Sequence, residues 1–231
     1  MGRPMKTTAS NQKQPLGLIA YEQICRKIIT LDYEPGQILE EKQLMEDLGL
    51  GRTPIREALL RLAGERMVES QPGRGIIVPP ITLQGTKAVF EAMKILELGI
   101  VSLAVCQNTN PLLPQMATAS DAVTAAIEAR DMLGLVEANH TFHMYFARCS
   151  HNEYLVRAVS EVRNEAKRLS YLSYANEIES ANSLQTHYES VIREHEEIIT
   201  HLRERNETEL NETLLKHINT FQQRIIHYMT S

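Results

Sequence analysis

The sequence predicts a mainly α protein in two units: an N-terminal helix-turn-helix closed by a short β-hairpin, then an all-α helical bundle. Three observations carry this reading. In residues 39–66, Leu44, Leu48, Ile55, Leu59 and Leu62 recur at spacings of three, four and seven, so one apolar seam runs through two short helices. Two strand-like tripeptides, Met67-Val68-Glu69 and Ile76-Ile77-Val78, bracket the tight turn Pro72-Gly73-Arg74-Gly75. Beyond Pro79-Pro80 strand signals vanish, and helical periodicity continues to the end of the chain.

Taken in order, residues 1–15 are polar, carry Arg3, Lys6 and Lys13 and show no periodicity; they read as a disordered arm. From Leu16 to Leu31, Ile24, Ile28 and Leu31 follow helical spacing, and Pro35-Gly36 ends that segment. Gly49 falls where a helix-turn-helix needs a sharp corner. Thr53-Pro54 then restarts the chain as helix, because a threonine oxygen can cap free N–H groups and proline is tolerated at the first helical position. Arg52, Thr53 and Arg56 are thereby placed around a helix start, the geometry by which a recognition helix reaches base edges and phosphates in the major groove. A glycine-rich hairpin tip at Gly73 can approach a phosphate backbone closely. Residues 16–80 therefore form the predicted DNA-binding unit.

Residues 81–231 form the second predicted unit. Thr82–Gln107 is one long helical pattern, stopped by Asn108-Thr109-Asn110-Pro111. Helices follow at about 112–131, 133–149, 153–175, 183–204 and 207–229, a bundle of roughly six.

Length and composition agree. A chain of 231 residues, 43% hydrophobic, allows two domains with real cores. The formal net charge of −5 excludes a protein coated for general adhesion to nucleic acid. Residues 1–80 nevertheless hold 11 Lys and Arg against 10 Asp and Glu, and the remainder 13 against 19. An acidic body bearing a near-neutral module favours site-specific binding. Cys25, Cys106 and Cys149 form no CxxC pattern and sit in apolar helical contexts, which predicts buried, reduced thiols. No signal-peptide core or bilayer-length apolar run occurs, so the expected location is cytoplasmic.

The motif GRTPIREALLRL, residues 51–62, resembles the recognition-helix signature of the GntR transcription regulators, whose DNA-binding domain is a winged helix-turn-helix. The resemblance implies DNA contacts at Arg52, Thr53 and Arg56, and at Gly73 and Arg74 in the wing. Lys42 stands ten residues before Arg52, where relatives of the FadR type place a DNA-contacting arginine. Lysine keeps the charge but lacks the bidentate fork, so a phosphate contact is expected there.

Histidines single out the bundle. Asn139 and His143 are four apart, on one face of one predicted helix, while His195 and His217 lie on two others. Three imidazoles with an adjacent oxygen donor suit a divalent transition metal such as zinc, nickel or manganese, provided that they converge. His140, His151, His187, His201 and His227 read as surface or satisfied core residues. Residues from about 85 to 228 are similar to the FadR C-terminal ligand-binding domain. That resemblance implies metal ligands at Asn139, His143, His195 and His217, the asparagine replacing the family's aspartate. It also implies a nearby cavity for a small carboxylate effector. Lys94 and Glu97 stand where relatives show arginine and glutamate, so Lys94 is the expected effector contact.

The expected function is a ligand-responsive transcription regulator, a homodimer binding near-palindromic operator DNA. Two alternatives stay open: a metal-dependent enzyme acting on a small acid, and a DNA-binding dimer with no effector. Against the enzyme, no hydrolase spacing such as HExxH occurs.

Overall fold

A computed structural model of the protein describes residues 14–175 and 181–230. The expected disordered arm, residues 1–15, lies outside the described residues except for Gln14 and Pro15.

The first helix, α1 (Leu16–Ile29), buries Ala20, Ile24, Cys25 and Ile28 along one stripe. It stops short of the expected Leu31, which adopts a left-handed φ of 62° and turns the chain away. A short strand, β1 (Ile38–Leu39), follows; two residues carry no alternation, so the sequence did not betray it. Helix α2 (Glu41–Leu48) ends at Gly49, whose φ of 63° and ψ of 28° make the left-handed corner that glycine adopts without steric cost. Helix α3 (Arg52–Gly64) buries Ile55, Ala58, Leu59 and Leu62 against α1 and α2.

The start of α3 departs from expectation. Gly51 is the N-cap and no side chain caps it, so Thr53 is not the capping residue. Thr53 already lies in the first turn, one residue before Pro54, because Gly51 reaches the extended N-cap conformation and the helix begins at Arg52. Strands β2 (Glu69–Gln71) and β3 (Gly75–Ile77) form the hairpin, with β1 paired antiparallel on the other side of β3. Relative to the expected strands, β2 starts two residues later. Met67 and Val68 are 1% exposed and serve the core beneath the hairpin instead of its ladder.

The remaining described helices are α4 (Leu83–Cys106), α5 (Leu113–Glu128), α6 (Met132–Arg148), α7 (Glu153–Ala175), α8 (Ala181–Glu204) and α9 (Glu207–Thr230). Thr82 caps α4 by accepting from the Gly85 N–H at 3.0 Å, and Asp131 caps α6 by accepting from Gly134 at 2.9 Å. Helix α7 packs against α4, α6 and α9 and also touches α1. Phe142 and Phe146 anchor one core, and Phe90 meets Phe221 edge-on at 5.0 Å in another.

The two units share a seam. Val136 belongs to the same buried cluster as the helix-turn-helix core, with Leu133 and Tyr171 packed against it. Arg168, fully buried, donates to the Pro79 carbonyl at 2.6 Å, and Arg66 pairs with Glu161. Cys25 and Cys149 are buried, as expected; Cys106 is exposed, because it is the last residue of α4 where the chain leaves the bundle. Among the described residues no helix is long and apolar enough to cross a membrane.

Candidate metal centre and DNA-binding surface

Helix α6 carries Asn139 and His143, α8 carries His195 and α9 carries His217. The bundle brings the three histidines together: one ring nitrogen from each lies within 4.8 Å of the others, and all three residues are buried. The Nε2 atoms of His143 and His217 are 3.2 Å apart. Two nitrogens bound tetrahedrally to one ion at about 2.05 Å would stand roughly 3.3 Å apart.

The surroundings suit a cation. Both ring nitrogens of His195 are buried without a hydrogen-bond partner, an arrangement that costs free energy unless something accepts the lone pair. The ring stacks on Phe142 at 3.7 Å between centroids, 9° from parallel, which fixes its orientation. The Asn139 amide oxygen is likewise buried and unpartnered. His217 presents Nδ1 to the Glu194 carboxylate at 2.9 Å, leaving Nε2 as the donor. His143 has Glu97 Oε2 at 3.3 Å from its Nδ1. His143, His195 and His217 therefore offer three converging nitrogen donors with two carboxylates behind them, and the unpartnered Asn139 oxygen lies one helical turn before His143 on α6.

Charge states follow from burial. Burial and the nearby Arg163 push His143 down to about 3, and burial pushes His195 well below its ordinary value. Both imidazoles are therefore neutral near pH 7, the form a metal requires. Burial alone would raise Glu97, but Arg163 and His143 outweigh it and hold the carboxyl down at about 2.

Arg163 is a part of the site that sequence reasoning missed. It donates to both oxygens of Glu97, at 2.5 and 2.6 Å, and its Nη2 lies 2.7 Å from His143 Nδ1. In the sequence it stands within VRNEAKR, which reads as a solvated charge run. Glu194, in REHEE, was hidden the same way.

Lys94 lies elsewhere: its ammonium donates to Gln222 at 2.7 Å. It does not line the cavity beside the histidines, whose walls include Asn139, Arg163, Tyr174, His187, Glu194 and His217. That cavity measures about 10 Å³, room for about one water molecule. His187 thus lies at the cavity instead of in a bland setting, and its Nε2 is 3.2 Å from the Tyr174 hydroxyl. His140 is half-buried, with a hydrogen bond to the Arg163 backbone and Nδ1 unpartnered; His151 and His227 are exposed. His201 is not part of the triad.

In the N-terminal unit, Arg52 and Arg56 project from the first turns of α3 with side chains 68% and 62% exposed. Thr53 beside them is exposed, and Lys42 on α2 is 87% exposed and ion-paired with Glu46 at 3.9 Å. Gly73 and Arg74 are exposed at the hairpin tip, where Gly73 adopts a φ of 77° that an L-residue rarely takes.

A helix-turn-helix with a β-hairpin wing, joined to a helical bundle with an inward-facing histidine cluster, defines the class of two-domain DNA-binding regulators. Residues 17–78 match the bacterial regulatory proteins of the gntR family and residues 88–220 match the FCD domain. The chain belongs to the GntR family, in the FadR-like group that carries a C-terminal FCD domain. It is 22% identical over 216 residues to the HTH-type transcriptional regulator YdhC of Bacillus subtilis, covering 93% of each chain. To the HTH-type transcriptional repressor RspR of Escherichia coli it is 20% identical, covering 94% of this chain and 92% of that one. The solved structure of E. coli McbR/YncC superposes with a TM-score of 0.74 at 23% identity, covering 94% of this chain and 99% of that one. These relatives are named as transcription regulators.

Proposed function

We propose that this DNA-binding transcription regulator acts as a cytoplasmic homodimer on operator DNA and responds to a small organic acid through a metal-containing helical domain. In this reading the DNA-binding unit spans residues 16–80 and the effector-binding and dimerisation unit residues 81–231. Arg52, Thr53 and Arg56 read the operator, Lys42 contacts phosphate, and Gly73 and Arg74 approach the backbone from the wing. Asn139, His143, His195 and His217 hold a divalent transition ion. When bound, the ion supplies positive charge that attracts an anionic effector. Effector binding biases the placement of the two DNA-binding units, and operator binding reciprocally disfavours the effector.

The observation that carries the metal reading is the pair of orphaned nitrogens on His195 beside two facing imidazoles. Zinc, nickel or manganese all fit three nitrogens and an oxygen. Metal analysis of the purified protein should find about one ion per chain. His143→Ala, His195→Ala or His217→Ala should each lose most of it and lower the melting temperature, since an ion bound only by the folded state stabilises that state. His201→Ala should change neither. Stoichiometry unaltered in all three variants would exclude the site.

A second reading keeps the metal and the dimer but dispenses with an effector. The 10 Å³ cavity favours it, because a small acid has to displace side chains to enter. Arg163 is the cation lining that cavity, so the effector reading expects it, and not Lys94, to meet the carboxylate. Calorimetry of metal-loaded protein against a panel of small carboxylates separates the two: heat from none of them supports the effector-free reading.

A further inference from the structure

The arginines at the start of α3 are not independent. Glu41, in the first turn of α2, receives Arg56 Nε on Oε1 at 2.8 Å and has Arg52 Nε 3.5 Å from Oε2. One carboxylate thus faces two guanidinium groups that stand one helical turn apart, where like charges repel. Its side chain is 29% exposed, the arginines more than twice that, so the carboxylate sits behind them. Both arginines turn the Nε edge towards Glu41. Because these contacts run through Nε, the Nη1–Nη2 edge, which guanine O6 and N7 can accept in bidentate fashion, is not the edge that the carboxylate engages.

From this geometry we infer that Glu41 is a specificity-determining positioning residue: it holds Arg52 and Arg56 for base reading and keeps them from settling on phosphates. The inference rests on the proposed role of the two arginines and adds a residue that touches no DNA itself. Its physical basis is competition. An unrestrained arginine at a DNA surface gains electrostatic energy from any phosphate, irrespective of sequence, and such contacts raise non-specific affinity. A carboxylate clamped on Nε removes conformational freedom from the side chain, so that less is lost when a base is engaged. Its negative charge also opposes close approach of phosphates with no base contact to offset the repulsion.

The test uses full-length protein and two duplexes, one selected by the parent protein from a randomised pool and one a shuffled duplex of the same composition. Glu41→Gln and Glu41→Ala should bind the shuffled duplex more tightly, with the slope of log affinity against log salt steeper by about one. The ratio of selected to shuffled affinity should fall at least fivefold, with thermal stability close to that of the parent. Glu41→Asp, which keeps the charge on a shorter arm, should recover part of the ratio. In the Arg52→Ala, Arg56→Ala double variant, Glu41→Gln should leave the ratio unmoved. A merely structural role would lower both affinities together and would not steepen the salt slope; that result overturns the inference. So does an unchanged ratio in both Glu41 variants when Arg52→Ala and Arg56→Ala each lose selectivity, an outcome that leaves the arginine assignment standing. Parental selectivity in the two arginine variants would instead remove that assignment, and this inference with it.

Discussion

His143 Nδ1 faces two partners that cannot both be satisfied. Arg163 can only donate to it, at 2.7 Å, while Glu97 can only accept from it, at 3.3 Å. When Nδ1 accepts from Arg163, the neutral ring keeps its proton on Nε2, and that proton spans the 3.2 Å to His217. When Nδ1 donates to Glu97, Nε2 has a free lone pair for an ion. An ion held by His143 Nε2 would require the tautomer in which Nδ1 faces Glu97, so it would compete with the proton that Nε2 carries when Nδ1 accepts from Arg163. In the proposed site Asn139 would contribute no charge, since an amide would leave a divalent ion its full double charge where an aspartate would cancel one unit. Asn139→Asp should tighten metal retention against a chelator and weaken carboxylate binding when both proteins are metal-loaded. Chelator competition followed by calorimetry checks it; a variant that holds metal no better than the parent would show that Asn139 is scaffold only.

At the scale of elements, α3 illustrates what a local pattern conveys and what it conceals. The apolar seam through Leu44, Leu48, Ile55, Leu59 and Leu62 was legible because burial of one helix face imposes its own period; Leu44, Ile55, Leu59 and Leu62 are buried and Leu48 is half-buried against the same cluster. The capping role expected of Thr53 was misplaced by two residues, because several residues at a helix start offer the same local chemistry and only backbone angles choose among them. Elements also separate the two kinds of DNA contact. Arg52→Ala or Arg56→Ala should cost about 1–3 kcal/mol on the selected duplex and relax base preference, as loss of a bidentate contact does. Lys42→Ala, on α2, should weaken selected and shuffled duplexes alike and make the salt slope shallower. Titrations at several salt concentrations distinguish the two patterns. Equal losses on both duplexes for the arginine variants would contradict base reading.

On the whole-molecule scale, the two units are not beads on a linker. Arg168 projects from α7 to the Pro79 carbonyl, and α7 also carries Arg163 beside the histidines and Tyr174 at the cavity wall. One helix thus connects the histidine site to Pro79, where the DNA-binding unit meets the bundle. Arg168→Met keeps the apolar stem but strands the Pro79 carbonyl and removes the ion pair with Glu165. The expected loss is roughly 1.5–3 kcal/mol, the range for a hydrogen bond to a charged group. Equilibrium unfolding in urea measures it, and unchanged stability would mean that the seam carries no energy.

Sequence alone determined the mainly α class, the helix-turn-helix with its hairpin, the six-helix bundle and the four residues proposed as metal donors. Those features follow from periodicity and spacing, which act between near neighbours along the chain, and from a resemblance carried by short motifs. Tertiary structure alone decided that His143, His195 and His217 converge, that Arg163 and Glu194 are buried partners of theirs, and that Lys94 turns to Gln222. A charged residue inside a run such as VRNEAKR looks solvated until the packing of three helices removes its water. Its burial then depends on residues more than twenty positions away, and no local spacing records them.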